Sequence, residues 1–88
     1  MQDIIVVIHP RDNVGVVTRQ IKKGEKVSRG KENAIEARDD IPKNHKVALV
    51  EIPKSSPVVK YGEKIGFAKE DIHIGQWVHT HNLKAQEE

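Results

Sequence analysis

The sequence predicts a compact all-β domain with an internal pseudo-twofold duplication. Three observations carry this expectation. A pattern of Ile, a turn residue three positions on and a β-branched Val after three more occurs four times: IKKGEKV from Ile21, IPKNHKV from Ile41, IPKSSPV from Ile52 and IHIGQWV from Ile72. The second pair repeats the first at an offset of 31 residues, the trace of a duplicated unit. The segments between these motifs are short, β-branched or alternating, and bounded by Gly, Pro or Asn, which is the habit of strands rather than helices. Finally, no linker or low-complexity run interrupts the 88 residues, a length that suits one small domain.

Taken in chain order, Ile4 to Ile8 is an apolar, β-branched run that stops at Pro10, which has no N–H for a ladder. Val14 to Thr18 is the second strand. Each repeated motif then reads as a corner, with Gly24, Asn44 and Gly75 suited to a positive φ and Ser55 a weaker fit. Ala34 to Arg38 alternates well enough to be a strand, although Lys31 to Arg38 also suits a helix. Lys46 to Val50, Val58 to Tyr61 and Trp77 to His81 complete the set. Gly62 and Gly66 answer backbone needs, a turn and a close approach, and their spacing makes no phosphate loop. The domain is expected over residues 1–83, with 84–88 a loose tail.

Composition narrows the function classes. With 36% hydrophobic residues, one each of Trp, Tyr and Phe, and no cysteine, the chain buries roughly 60–65% of its unfolded surface. Its core is thin, and a docked partner or a homodimer would add stability. The absence of cysteine fits a reducing compartment. The five-residue apolar run near the N-terminus follows an acidic residue and is too short for a signal segment or a membrane span, so a cytoplasmic location is expected. A net charge of +2 is too small to attract polyanions. The basic segment Lys22, Lys23, Lys26, Arg29 and Lys31 is interleaved with Glu25 and Glu32 and lacks aromatics, which reads as a solvated surface, with no nucleic acid as partner.

Four of the five histidines sit in polar clusters. His9 leaves its strand beside Asp12 and Asn13. Asp12 or Asn13 either closes an Asx-turn or, in the functional reading, Asp12 orients His9 as proton donor or acceptor. His45 and Lys46 adjoin the turn residue Asn44, where a basic pair suits a carboxylate. His79 and His81, two apart on an expected strand, project from one face within reach of one ion, unless they are simply an exposed edge. Asn82 follows as an oxygen ligand or hydrogen-bonding group. Tyr61 is expected in the core with its hydroxyl satisfied, and His73 is read as structural.

Four pieces in order, His-Pro-x-Asp-Asn-Val at 9–14, His-Lys-x-Ala-Leu at 45–49, Lys-Tyr-Gly-x-x-Ile-Gly at 60–66 and Val-His-x-His-Asn at 78–82, resemble the SAF-like domain of altronate dehydratase and related sugar-acid dehydratases. The resemblance implies a β-clip fold, and in that family glycine usually stands where this chain has Asn44. It also implies the small subunit of a two-chain hydro-lyase whose large subunit completes the active site. On that reading His9, Asp12 and His45 are catalytic, Asn13, Lys46 and Asn82 bind a hydroxy or sugar acid, and His79 and His81 hold a divalent metal, iron or manganese, jointly with the large subunit. No nucleotide cofactor and no membrane are expected. The small subunit of sulfolactate sulfo-lyase is as similar in size and pattern, so water and sulfite stay open as leaving groups. A non-catalytic SAF-type substrate-binding or lid module is the alternative from another class.

Overall fold

The computed structural model describes residues 4–28 and 34–85. Among them are nine strands: β1 (Ile5–Val6), β2 (Val14–Val17), β3 (Lys26–Val27), β4 (Ile35–Glu36), β5 (Lys46–Ala48), β6 (Pro57–Lys60), β7 (Glu63–Ala68), β8 (Trp77–Val78) and β9 (Leu83–Ala85). The chain is all-β, as expected, with no helix among the described residues. Where Ala34 to Arg38 was ambiguous, Ile35 and Glu36 form β4. The helical alternative began at residues 31–33, which lie outside the described residues.

A four-stranded antiparallel sheet in the order β1-β2-β5-β8 divides the molecule. Strand side chains alternate between faces, and each central strand uses both. Val17, Val47 and Ile5 enter one core with Ile21, Val27, Ile35, Ala37 and Ile41, and Trp77 packs against it. Val14, Ala48 and Val78 enter the other with Ile52, Val58, Ala68 and Ile72. The β3-β4 hairpin covers the first core, and the three-stranded β6-β7-β9 sheet covers the second.

These two cores are the two copies of the duplication. Ile21 bridges Ile41, and 31 residues on Ile52 bridges Ile72. Gly24 N–H donates to the Ala37 carbonyl at 2.7 Å, and Ser55 N–H to the Ala68 carbonyl at 2.8 Å. Asp40 accepts from Lys23 N–H and Asp71 from Lys54 N–H, both at 2.8 Å. Val27 pairs with Ile35, and Val58 with Gly66. All four motif isoleucines are at most 2% exposed.

All four corners take positive φ: 89° at Gly24, 69° at Asn44, 71° at Ser55 and 89° at Gly75. A Cβ at Gly75 would stand 2.1 Å from the Glu36 carbonyl oxygen, so only glycine fits there. Asn44, its counterpart 31 residues earlier, keeps the same conformation as the non-glycine residue that tolerates it best.

Two expectations are corrected. Lys84 and Ala85, assigned to a tail, belong to β9 and pair with Phe67 and Gly66; residues 86–88 lie outside the described residues. Gly66 makes this approach possible, since a Cβ there would meet the Lys84 carbonyl at 2.1 Å. Tyr61, expected in the core, is 53% exposed. It forms with Gly62 the two-residue loop joining Lys60 to Glu63, with φ of 56° and 77°, both positive as a type I′ turn requires.

Replacing Ser55 by Gly removes the side-chain penalty at a left-handed corner and is expected to stabilise the chain by about 0.5–1 kcal/mol. Gly75→Ala adds both that penalty and a backbone clash, and is expected to destabilise by roughly 2–4 kcal/mol. Thermal unfolding of the two variants reads both, and a Gly75→Ala protein as stable as the parent would contradict the packing.

Candidate functional site

The strip begins where β5 and β8 pair. Lys46 faces Val78 and Val47 faces Trp77, so one step further in the same register His45 comes opposite His79. Their ring centroids are 4.9 Å apart. Trp77 shares the face, its indole stacked on His79 at 5.4 Å and 9° and tilted against His45 at 5.6 Å. The indole N–H donates to His45 Nδ1 at 3.1 Å. His81 closes on the same indole at 5.2 Å. Three imidazoles are therefore gathered around the chain's one tryptophan.

This is not the arrangement expected for His-x-His. The strand ends at Val78, and residues 79–82 form a turn. His79 N–H donates to Asn82 Oδ1 at 3.0 Å, while Asn82 Nδ2 donates to the Trp77 carbonyl at 2.9 Å. His79 and His81 each pack on Trp77, and no strand aligns them. Asn82, 3% exposed, has its amide occupied in closing this turn and is framework rather than a substrate contact.

The His9 cluster is built the same way. His9 N–H donates to Asp12 Oδ2 at 3.1 Å, and Asp12 N–H returns to the His9 carbonyl at 3.0 Å. The other Asp12 oxygen accepts Gly62 N–H at 2.8 Å, joining this turn to the β6-β7 turn. The expectation that Asp12 orients the His9 ring is therefore corrected: it orients the backbone of His9. The ring instead takes a hydrogen bond at Nδ1 from Arg11 N–H, 3.1 Å away. It lies against Gly62, where a Cβ would come within 2.8 Å of His9 Cδ2. Asn13 is also framework, accepting from Val59 N–H at 2.7 Å and donating to the Pro57 carbonyl at 2.9 Å.

Lysines connect the two ends. Lys46 lies two residues before Ala48, and Lys60 two after Val58, both of which enter the second core. Ile65 is the extra residue of a bulge on β7, so β6 keeps its alternation and Lys60 leaves on the side of Val58. Both lysines thus emerge at one mouth of that core. Burial, then the charge of Lys60, holds the Lys46 ammonium below the ordinary lysine range. Among the described residues none of His9, His45, Lys46, Lys60, His79 and His81 belongs to an ion pair; those found join Arg19 to Glu25 and His73 to Glu51. His73, read as structural, is thus a surface partner of Glu51.

The electrostatics of the strip favour an anion. Burial first, then the fields of His45, Lys46 and His81, hold the His79 imidazole below the ordinary histidine range, which favours its neutral form with a free lone pair near pH 7. For Asp12, burial would raise the carboxyl, but the N–H donors of Gly62 and His9, joined by those of Tyr61 and Ile8, outweigh it and hold it below the carboxylate range. No three His, Cys, Asp or Glu side chains among the described residues are grouped to hold a metal ion. His79 and His81 supply two ligands at most, and the described residues do not by themselves fit a resident metal.

A depression of about 710 Å³ lined by Lys23, Gly24, Glu36, Arg38, Glu51 and Gln76 lies elsewhere and includes none of the clustered histidines. Sequence reasoning missed Trp77, which stands two residues before His79, the spacing of one strand face; Lys60, two after the apolar Val58, was open to either face.

Residues 3–86 match the model of the altronate/galactarate dehydratase SAF domain. The chain belongs to this family. It is 46% identical over 77 residues to altronate dehydratase of Bacillus subtilis (strain 168), covering 88% of this chain and 15% of that protein. It is 36% identical over 73 residues to galactarate dehydratase (L-threo-forming) of Escherichia coli (strain K12), covering 81% of this chain and 13% of that protein. It is 30% identical over 87 residues to (2R)-sulfolactate sulfo-lyase subunit alpha of Chromohalobacter salexigens, covering 91% of this chain and 93% of that subunit. The SAF domain thus spans about 15% of the altronate dehydratases it matches and nearly all of a sulfo-lyase subunit. No helix among the described residues is long and apolar enough to cross a membrane.

Asp12→Ala leaves two backbone N–H groups without their acceptor and is expected to destabilise by about 1–3 kcal/mol, measurable by chemical denaturation. His79 has a lower pKa folded than unfolded, so the unfolded chain binds the extra proton. Stability is then greatest above the ordinary histidine pKa of 6.5 and falls as the pH drops through the folded value. His79→Gln is expected to flatten that fall in thermal-melt midpoints taken across the acid side of neutrality, and an unchanged slope would remove His79 as its source.

Proposed function

We propose that this SAF domain is the small component of a lyase of the altronate dehydratase type, contributing imidazoles to an active site completed by a larger catalytic chain. One observation carries the reading: a strip of basic groups, His9, Lys60, Lys46, His79, His45 and His81, on one framework and without an acidic partner among the described residues. Such a strip can line a site for a hydroxy acid but not close one.

In the elimination, the C–H bond α to the carboxylate and the C–O bond at the β carbon both break, and water departs. The chemistry needs a base for the α proton, cationic or hydrogen-bonding stabilisation of the enediolate, and an acid for the leaving oxygen. Lys46 and Lys60 are placed to receive the carboxylate. His79, held neutral, suits the base, and His9, exposed on its Asx-closed turn, suits the leaving oxygen. If His79 and His81 instead held a divalent ion with ligands from the larger chain, the base would have to come from that chain.

Coverage of 93% of a sulfolactate sulfo-lyase alpha subunit favours a second reading on the same framework, in which a sulfonate leaves as sulfite instead of a hydroxyl as water. The strip, cationic and open, accommodates either anion.

Tagged at natural expression level in its own host, the chain is expected to retain a larger lyase chain in stoichiometric amount, and recovery without one would overturn the subunit reading. In the complex, His9→Ala and His79→Ala, each assayed with sugar acids and with sulfolactate, are expected to lower kcat by about 100-fold or more. Variants that keep most turnover would make the domain a lid or binding module.

A further inference from the structure

Trp77 is part-buried, and every polar group it has is engaged. Its backbone N–H donates to Asp39 Oδ2 at 3.0 Å, its carbonyl accepts from Asn82 Nδ2 at 2.9 Å, and its indole N–H donates to His45 Nδ1 at 3.1 Å. His45 is tied as firmly. Its N–H donates to the Pro42 carbonyl at 3.1 Å, and its carbonyl accepts Val17 N–H at 3.0 Å.

An indole N–H can only donate, so the His45 nitrogen it meets must present a lone pair. The neutral His45 ring then carries its proton on Nε2. Turning the ring over would break this bond, and the ring is packed between His79 across the strand pair and the indole itself. The acidic group nearest in the network, Asp39, is engaged with the Trp77 backbone N–H.

We propose that Trp77 is a positioning residue that locks His45 as its neutral Nε2–H tautomer, so that His45 serves the lyase as a fixed hydrogen-bond donor to a substrate oxyanion. This rests on the lyase reading above and assigns within it a role distinct from proton transfer. A neutral imidazole that gave up its Nε2 proton would become an imidazolate, so His45 keeps its proton throughout. It stabilises charge gathering on the carboxylate as the enediolate forms, and no proton or electron pair changes owner at its ring. Donors held in place before charge develops are among the strongest devices for stabilising such intermediates.

The tautomer is read on the full chain alone, by long-range proton–nitrogen NMR of the histidine rings, independently of any activity. The expected result is a single His45 tautomer with a bare Nδ1 and a protonated Nε2, and a mixture of tautomers in Trp77→Phe. Protonation at Nδ1 in the parent, or an unchanged His45 ring in Trp77→Phe, would overturn the lock. Should Trp77→Phe not fold, His45→Ala reports from the other side: loss of the acceptor is expected to speed indole N–H exchange about tenfold, and unchanged exchange would count against the bond. In the complex with the larger chain, His45→Gln retains an N–H donor and is expected to keep kcat within about tenfold of the parent, while His45→Ala loses about 100-fold. Equal losses would sink the donor role while leaving the lyase reading standing. A correct tautomer with no lyase activity in any complex would sink the lyase reading and leave the lock.

Discussion

The structure depends on one constraint, the strict alternation of side chains along β5. Val47 and Ala48 are neighbours in sequence, both fully buried, yet they belong to opposite cores. In a chain this short, one layer of strands buries two apolar sets at once only if successive residues serve opposite faces. The duplication supplies two equivalent lids for those faces, the β3-β4 hairpin and the β6-β7-β9 sheet. A one-residue slip of β5 would turn Val47 and Ala48 into the wrong cores together, so the register is fixed from both sides.

That fixed register also builds the candidate site. The β5-β8 pairing that sets Lys46 against Val78 sets His45 against His79 one step beyond, where the ladder ends and apolar demand stops. The same end of the sheet carries Lys46 out of the second core, beside Lys60 from its lid. Polar chemistry is therefore concentrated at one sheet end because apolar pairing exhausts the rest. The two histidine turns add to it by one local device: in each, an Asx residue three positions on accepts the histidine N–H and fixes the backbone that carries the ring. Asp12 and Asn82 act on the candidate site through this geometry, their side chains bound to backbone groups.

Much of the fold was legible from sequence because duplication leaves a numerical trace. The offset of 31 named the corners, and Gly24, Asn44, Gly75 and even Ser55 took the positive φ their positions demand. The site was legible in part. His45, Lys46, His79 and His81 do converge, but Asp12, Asn13 and Asn82, grouped with them by proximity in the chain, proved to be backbone acceptors and donors. Sequence proximity does not distinguish a side chain that faces a ligand from one that closes the turn presenting it. Tyr61 was misplaced for a related reason. Its aromatic ring argued for burial, whereas the two-residue loop before Glu63 required a left-handed residue at an exposed tip, and the turn prevailed. Trp77 went unassigned because its role lies in a contact with His45, 32 residues away, which no local pattern records.

The division between framework and surface follows from the same economy. Asp12, Asn13, Asn82 and the four corner isoleucines are committed to holding turns and cores, so they fix where the imidazoles and ammonium groups stand. Among the described residues those groups have no acidic partner, which leaves a face suited to an anion. On the lyase proposal, such a face would recognise the anionic end that the candidate substrates share, and the choice of the bond that breaks would fall to the chain that covers it.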